Sequence, residues 1–116
     1  TVRVMESLGI EVVVPTAAQT KVGCVETRQE AELVAEMFRR EKVHGILVGA
    51  VNFGEEQGVA WCVKKAALDV PILIYGCQEE EALTMTTRRR DSFCGLLSIG
   101  EVLRQIGAKY TVAPPP

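Results

Sequence analysis

This 116-residue sequence predicts an α/β domain built on a parallel sheet. Three observations carry that reading. Short apolar runs rich in β-branched residues recur along the chain. Between them lie stretches whose apolar residues repeat at helical spacing. Cap-forming residues and glycines stand at the joins.

The first element in the chain is helical. Val4, Met5 and Leu8 fall on one face of Thr1–Leu8, and Gly9 follows as a stop residue. A parallel-sheet domain normally places a strand ahead of such a helix, so the expected first strand lies upstream of Thr1. Ile10–Val14 is a β-branched run ended by Pro15, which predicts a strand buried on both faces. Residues 15–26 form a polar connection.

Thr27 and Glu30 make a capping box that starts the next helix. Leu33, Val34, Met37 and Phe38 form its inner stripe, and Glu36 pairs with Arg40 one turn on. Gly45–Ala50 is a second buried strand. Asn52 caps the following helix, with Glu55 at the capping-box position and Val59, Ala60, Val63 and Ala67 facing inward. That helix ends near Leu68, because Val70 precedes Pro71 and is held extended.

Pro71–Tyr75 is the third strand. A last helical pattern runs from about Arg89 through Leu96, Ile99, Leu103 and Ile106 to Gly107. Ser98 and Glu101 suggest a break within it, and Gly95 and Gly100 each weaken it by up to ~1 kcal/mol relative to alanine. Lys109–Val112 is the final strand. Residues 1–113 form one domain, and Pro114–Pro116 begin a linker.

Helices alternating with strands imply right-handed crossovers and helices on both faces of the sheet. With an upstream strand the sheet has about five strands in the flavodoxin-like, three-layer order 2-1-3-4-5. The sheet would otherwise lack its central member.

Composition narrows the function. Apolar residues make up 47% of the chain and charged residues 24%, with a net charge of −2 and no basic stripe, which argues against nucleic acid as a partner. Aromatic residues at 5% are too few for a stacking platform. No apolar run approaches the ~20 residues that cross a bilayer, so no membrane association is expected. Cys24, Cys62, Cys77 and Cys94 form no C-x-x-C pair, and His44 is the single histidine, so no metal site is expected within the chain. Reduced cysteines fit a cytoplasmic protein. No Walker loop, G-x-G-x-x-G or G-x-S-x-G is present.

Ligands of open α/β sheets bind beyond the carboxyl ends of the strands. The loops expected there offer Gln19, Asn52, Phe53 and Gln78, neutral groups suited to a polyol or sugar. Asn52 serves equally as a helix cap, and Phe53 as packing at a strand end. Arg88, Arg89 and Arg90, offset by Asp91, form either a solvated charge run or a contact to a partner subunit or an anion.

Arg89-Arg90-Asp91-Ser92-Phe93-Cys94-Gly95, followed by Ser98, resembles a segment of the N-terminal region of the L-fucose and L-arabinose isomerase family. Asn52-Phe53-Gly54-Glu55-Glu56-Gln57 resembles a second segment, and Val70-Pro71-Ile72-Leu73 fits the same order. The resemblance implies a flavodoxin-like N-terminal domain of an enzyme that interconverts aldoses and ketoses. It implies a divalent metal, usually manganese, held by later domains. It further implies a homo-oligomer in which this domain closes over a neighbour's sugar site.

On that reading the chain is not catalytic alone. Asn52, Phe53, Gln78 and Gln19 lie near substrate, and Arg88–Asp91 lie at an interface or anion contact. The alternatives are a flavin- or small-ligand-binding module and a purely structural oligomerisation module.

Overall fold

A computed structural model describes residues 1–80, 82, 84–87 and 90–114. The described elements are α1 (Val2–Ser7), α2 (Arg28–Arg40), β1 (Ile46–Ala50), α3 (Gln57–Ala66), β2 (Ile72–Gly76), α4 (Ser92–Gln105) and β3 (Thr111–Val112). Among the described residues the sheet has three parallel strands in the order β1-β2-β3. Ile46 lies opposite Ile72 and Ala50 opposite Gly76. Leu73 and Ile74 lie opposite Thr111 and Val112. The chain is α/β and flavodoxin-like in its three-layer arrangement, as the alternation of elements predicts.

The sheet has one well-covered face. Ile46, Val48, Ala50, Ile72 and Ile74 pack there with Ile99 and Leu103 of α4, and Val59 and Val63 of α3 join them. Fully burying such aliphatic side chains contributes roughly 1.5–3 kcal/mol each. A second cluster joins α2 to α3 through Ala31, Val34, Ala35, Met37, Cys62 and Ala66. Phe38 touches both clusters. The opposite face is thinly covered. Tyr75 lies there, and its hydroxyl bonds the Thr1 hydroxyl at 2.9 Å.

The start of α2 follows the sequence closely. The Thr27 hydroxyl accepts from the Glu30 amide, and the Glu30 carboxylate accepts from the Thr27 amide. Glu30 also accepts from the amides of Lys21 and Glu26, both at 2.9 Å. The Lys21, Glu26 and Thr27 amides hold its carboxyl down, from 4.5 to about 2. A group depressed in the folded state stabilises fully above its unfolded pKa. Its contribution should therefore be complete above about pH 4.5 and fade as pH falls toward 2. Glu30→Gln is expected to lower the urea midpoint at pH 7, and the gap to the parent chain should narrow at pH 2.5. A gap that is the same at both pH values would contradict this role.

Several expectations need correction. Ile10–Val14 forms no strand: Val12 and Val13 are half-buried, while Ile10 and Val14 remain 44% and 47% exposed. β-branched residues make a strand only beside a neighbour, and the sheet ends at β1 without reaching them. Glu11 within the run is itself exposed, and burial on both faces would desolvate it.

Asn52 does not cap α3, whose N-cap is Glu56 with no side-chain cap bond. Ala67, expected to face inward, is instead the left-handed C-cap of α3 at φ 49°. Arg40 pairs with the adjacent Glu41 rather than with Glu36, and Leu33 is 39% exposed. No break occurs at Ser98, because Glu101 turns forward to Arg104 and Gln105 instead of back to cap.

Candidate functional site

The carboxyl ends of β1 and β2 and the start of α4 converge on one rim. Ser92 is the hub of this region. It is 2% exposed. Its hydroxyl donates to the Ala50 carbonyl at the end of β1 and accepts from the Cys77 amide just past β2. One hydroxyl thus joins both strand ends to the helix. Buried backbone groups left unpaired cost about 1–3 kcal/mol each, so this bridge has a clear physical reason.

Asn52 adds a second stitch. Its Oδ1 accepts from the Phe53 amide at 2.9 Å and from the Asp91 amide at 3.1 Å. The side-chain oxygen is thereby spent on the backbone, and the amide nitrogen is the group that can address a ligand. Gly95 lets α4 press on the same loop: a Cβ built there would lie 2.5 Å from the Asn52 carbonyl oxygen.

Two acids complete the rim. Glu79 Oε1 accepts from the Phe93 amide at 2.8 Å, and Glu80 Oε2 from the Arg90 amide at 2.9 Å. The Arg90 amide is the main cause that holds the Glu80 carboxyl below its usual range. Negative groups beside the start of a helix are favourable. Arg90 also turns its guanidinium to the Gln78 carbonyl at 3.3 Å.

Beside this rim lies a shallow open groove of about 400 Å³, lined by Phe53, Glu56, Gln57, Leu97, Ser98, Glu101 and Val102. Phe53 is 58% exposed, and Phe93 and Leu97 on α4 are similarly open.

Asn52, Phe53, Arg90, Asp91, Ser92 and Gly95 at this rim belong to the two segments that carry the sequence resemblance, and the match extends over the chain. Residues 1–115 fit the family model for the fucose/sulfoquinovose isomerase N-terminal domain. The chain belongs to that family. No curated protein and no solved structure matches it.

Within this isomerase N-terminal domain, the structure brings Asn52, Phe53, Gln78, Arg90 and Asp91 to one rim through the contacts above. Arg88 and Arg89 lie outside the described residues. Gln19 is tied elsewhere: its Oε1 accepts from the Thr16 amide and hydroxyl, both at 3.0 Å, and closes a turn after Pro15.

Sequence reasoning passed over Glu79 and Glu80, and took in Ser92 only as a member of the Arg89–Gly95 string. Ser92 sits in the Arg89–Gly95 string, but its type and spacing match no catalytic pattern. The acids preceding an arginine run were a usable signal for a clamp.

Among the described residues, no three His, Cys, Asp or Glu side chains gather as a metal site. The rim carboxylates of Glu79 and Glu80 are engaged by backbone amides, and His44 lies before β1, at the other end of that strand from Asn52. The described residues offer no set of side chains arranged to hold a divalent metal, and the family resemblance assigns the manganese to other domains. Burial pushes the Cys62 thiol up to about 11, which leaves it a poor nucleophile. No helix among the described residues is long and apolar enough to cross a membrane.

Proposed function

We propose that this domain serves an aldose–ketose isomerase of the L-fucose/L-arabinose isomerase type by forming part of the rim of the sugar site and by contributing to oligomer assembly, without catalysing alone. The observation that carries the proposal is the stitched rim. Ser92, Asn52, Glu79 and Glu80 spend their polar groups holding two strand ends and a helix start together. Such bonding fixes a loop surface without supplying an acid, a base or a metal ligand. A rigid rim of this kind positions a neighbouring site by holding its wall in one geometry.

The chemistry of the rim suits a sugar. The Asn52 amide nitrogen and the exposed Gln78 side chain can bond hydroxyls, and the exposed Phe53 ring offers an apolar surface beside them. Metal-assisted polarisation of the carbonyl, with manganese as the metal, belongs on this reading to the domains that follow. Residues 1–113 act as the domain and 114–116 as the start of a linker. The exposed Phe53, Phe93 and Leu97 give an apolar patch suited to a second subunit. Reduced thiols at Cys24, Cys62, Cys77 and Cys94 suit a cytoplasmic setting.

The test substitutes Phe53→Ala in an isomerase polypeptide carrying this domain together with the metal-binding domains. Phe53 is exposed, so folding should be unaffected. With manganese present, KM for L-fucose is expected to rise about tenfold, the scale of one lost ring contact. The 116-residue chain alone should form no ketose. An unchanged KM together with an unchanged sedimentation coefficient would remove both roles from this rim.

A further inference from the structure

The outer seam between α2 and α3 carries a groove of its own. Arg28 lies over the Trp61 ring, 5.1 Å from its centre, and Lys65 pairs with Glu32 at 2.9 Å. The second contact lies four residues beyond the first on both helices, so α2 and α3 run parallel. Ala31, Val34, Ala35, Met37, Cys62 and Ala66 close the inner side of the seam. Trp61 packs on that cluster with part of its surface and is half-buried. On the outer side the helices leave a groove of about 290 Å³, lined by Arg28, Glu32, Trp61, Lys64 and Lys65. None of these residues lines the groove beside the rim.

The charges in the α2–α3 groove do not balance. Its lining holds three cations, Arg28, Lys64 and Lys65, and one acid. That acid is committed: the hydrogen bond from Lys65, with its charge, holds the Glu32 carboxyl below its usual range. Among the described residues, Arg28 and Lys64 make no ion pair. The Trp61 indole N–H makes no hydrogen bond among them either. No unpartnered side-chain donor is buried there, so this N–H is open to solvent.

Helix electrostatics explains only part of this arrangement. Lys64 and Lys65 stand in the last turn of α3, where cations are favoured. Arg28 stands in the first turn of α2, where a cation is disfavoured. Its contact with the indole face offsets that cost and keeps the guanidinium at the groove.

The spacing of the two unpaired cations describes an occupant. Arg28 is level with Trp61, and Lys64 lies three residues further along α3, ~4.5 Å at the helical rise. Alternate residues of an extended segment stand ~7 Å apart on one face. The long arginine and lysine stems take up the difference. Two glutamates so placed reach both cations and lay their methylenes on the indole. Nucleic acid fits poorly, because Glu32 stands in the groove and the chain has a net charge of −2.

We propose that the α2–α3 groove docks an extended acidic segment of a partner polypeptide, whose carboxylates at alternate positions pair with Arg28 and Lys64 across Trp61. The proposal is independent of the sugar reading of the rim.

The test uses the 116-residue chain and the fluorescence of Trp61, its single tryptophan. The probe is a glycine–serine peptide of about ten residues with Glu-Ser-Glu at its centre. At about 20 mM salt its titration should saturate with a Kd on the order of 100 µM, weakening at least ~5-fold at about 200 mM salt. Arg28→Gln and Lys64→Gln should each weaken binding by at least ~3-fold, and the double variant by ~10-fold. Both residues are exposed, so folding should be unaffected. Lys109→Gln, an equal charge change just before β3, should leave binding unchanged. The same peptide with Gln-Ser-Gln should give no saturable change.

No saturable response to the acidic peptide would overturn the proposal. Equal weakening by Lys109→Gln would do so as well, because net charge then drives binding. Inorganic phosphate saturating the signal at the peptide's concentrations would make the groove a small-anion site instead. Tighter binding of a single-stranded oligonucleotide than of the peptide would replace the partner class. A Trp61 signal that changes with protein concentration in the absence of peptide would put a second copy in the groove and overturn the proposal too.

Discussion

Gly58→Ala should destabilise the chain by about 2–3 kcal/mol, moving the urea midpoint down by roughly 1–2 M for a domain of this size. Gly58 lies in the first turn of α3 and is buried. A Cβ built there would sit 2.8 Å from the carbonyl carbon of Val25 and closer still to its oxygen. The obstacle is backbone, so no rotamer change relieves it. Val25 also stands just before the α2 capping box, whose Glu30 carboxylate binds the Lys21, Glu26 and Thr27 amides. Moving Val25 aside therefore strains that set of bonds as well.

Helix propensity acts in the opposite direction, since alanine gains up to ~1 kcal/mol over glycine inside a helix. Gly58 is near the helix start, where the gain is smaller, so the steric term decides the sign. Equilibrium urea unfolding of both proteins measures the difference. An alanine variant as stable as the parent would mean that α3 and the segment before α2 do not approach each other this closely.

The elements that could be read from the sequence are those whose signal is local. The Thr27–Glu30 box, the helical stripe through Val34 and Met37, and the left-handed glycines at 9 and 107 each depend on residues within a few positions. Local signals survive whatever the rest of the chain does. Ile10–Val14 failed because a strand is a relation between two segments, and its pattern says nothing about whether a neighbour is present.

The rim was half-legible for a related reason. The rule that ligands of open α/β sheets bind beyond the carboxyl ends of the strands places Asn52, Phe53 and Gln78 on one edge of the sheet. It does not reveal that the Asn52 oxygen is directed at Asp91, which lies 39 residues away in sequence. Gln19 shows the converse: a polar residue near an expected strand end whose amide oxygen is consumed by its own turn. Gly95 and Gly100 looked alike as weak points in a helix. Only the packing separates a glycine required by a neighbouring backbone from one that faces a movable side chain.

That separation can be measured. Gly95→Ala is expected to cost about 2 kcal/mol, whereas Gly100→Ala should be neutral or slightly stabilising. At Gly95 the new Cβ meets the Asn52 carbonyl oxygen at 2.5 Å and its carbon at 3.2 Å. At Gly100 it meets the Tyr110 hydroxyl at 2.9 Å, the far end of a side chain that can swing away. Both glycines lie inside α4, so the propensity gain is the same and cancels in the comparison.

The cost at Gly95 should also appear at the rim. To admit the methyl group, α4 must withdraw from the loop after β1, which stretches the Asn52–Asp91 bond and the Ser92 bridge to Ala50. In the Gly95→Ala protein the amide resonances of Asp91 and Cys77 should shift and exchange faster, while those of the Glu30 box stay in place. In an isomerase polypeptide carrying the domain, the same variant should raise KM for the sugar even at temperatures where it remains folded, because the wall of the site has moved. Equal stabilities for the two alanine variants would mean that α4 does not rest on the Asn52 backbone, and the stitched rim would lose its main support.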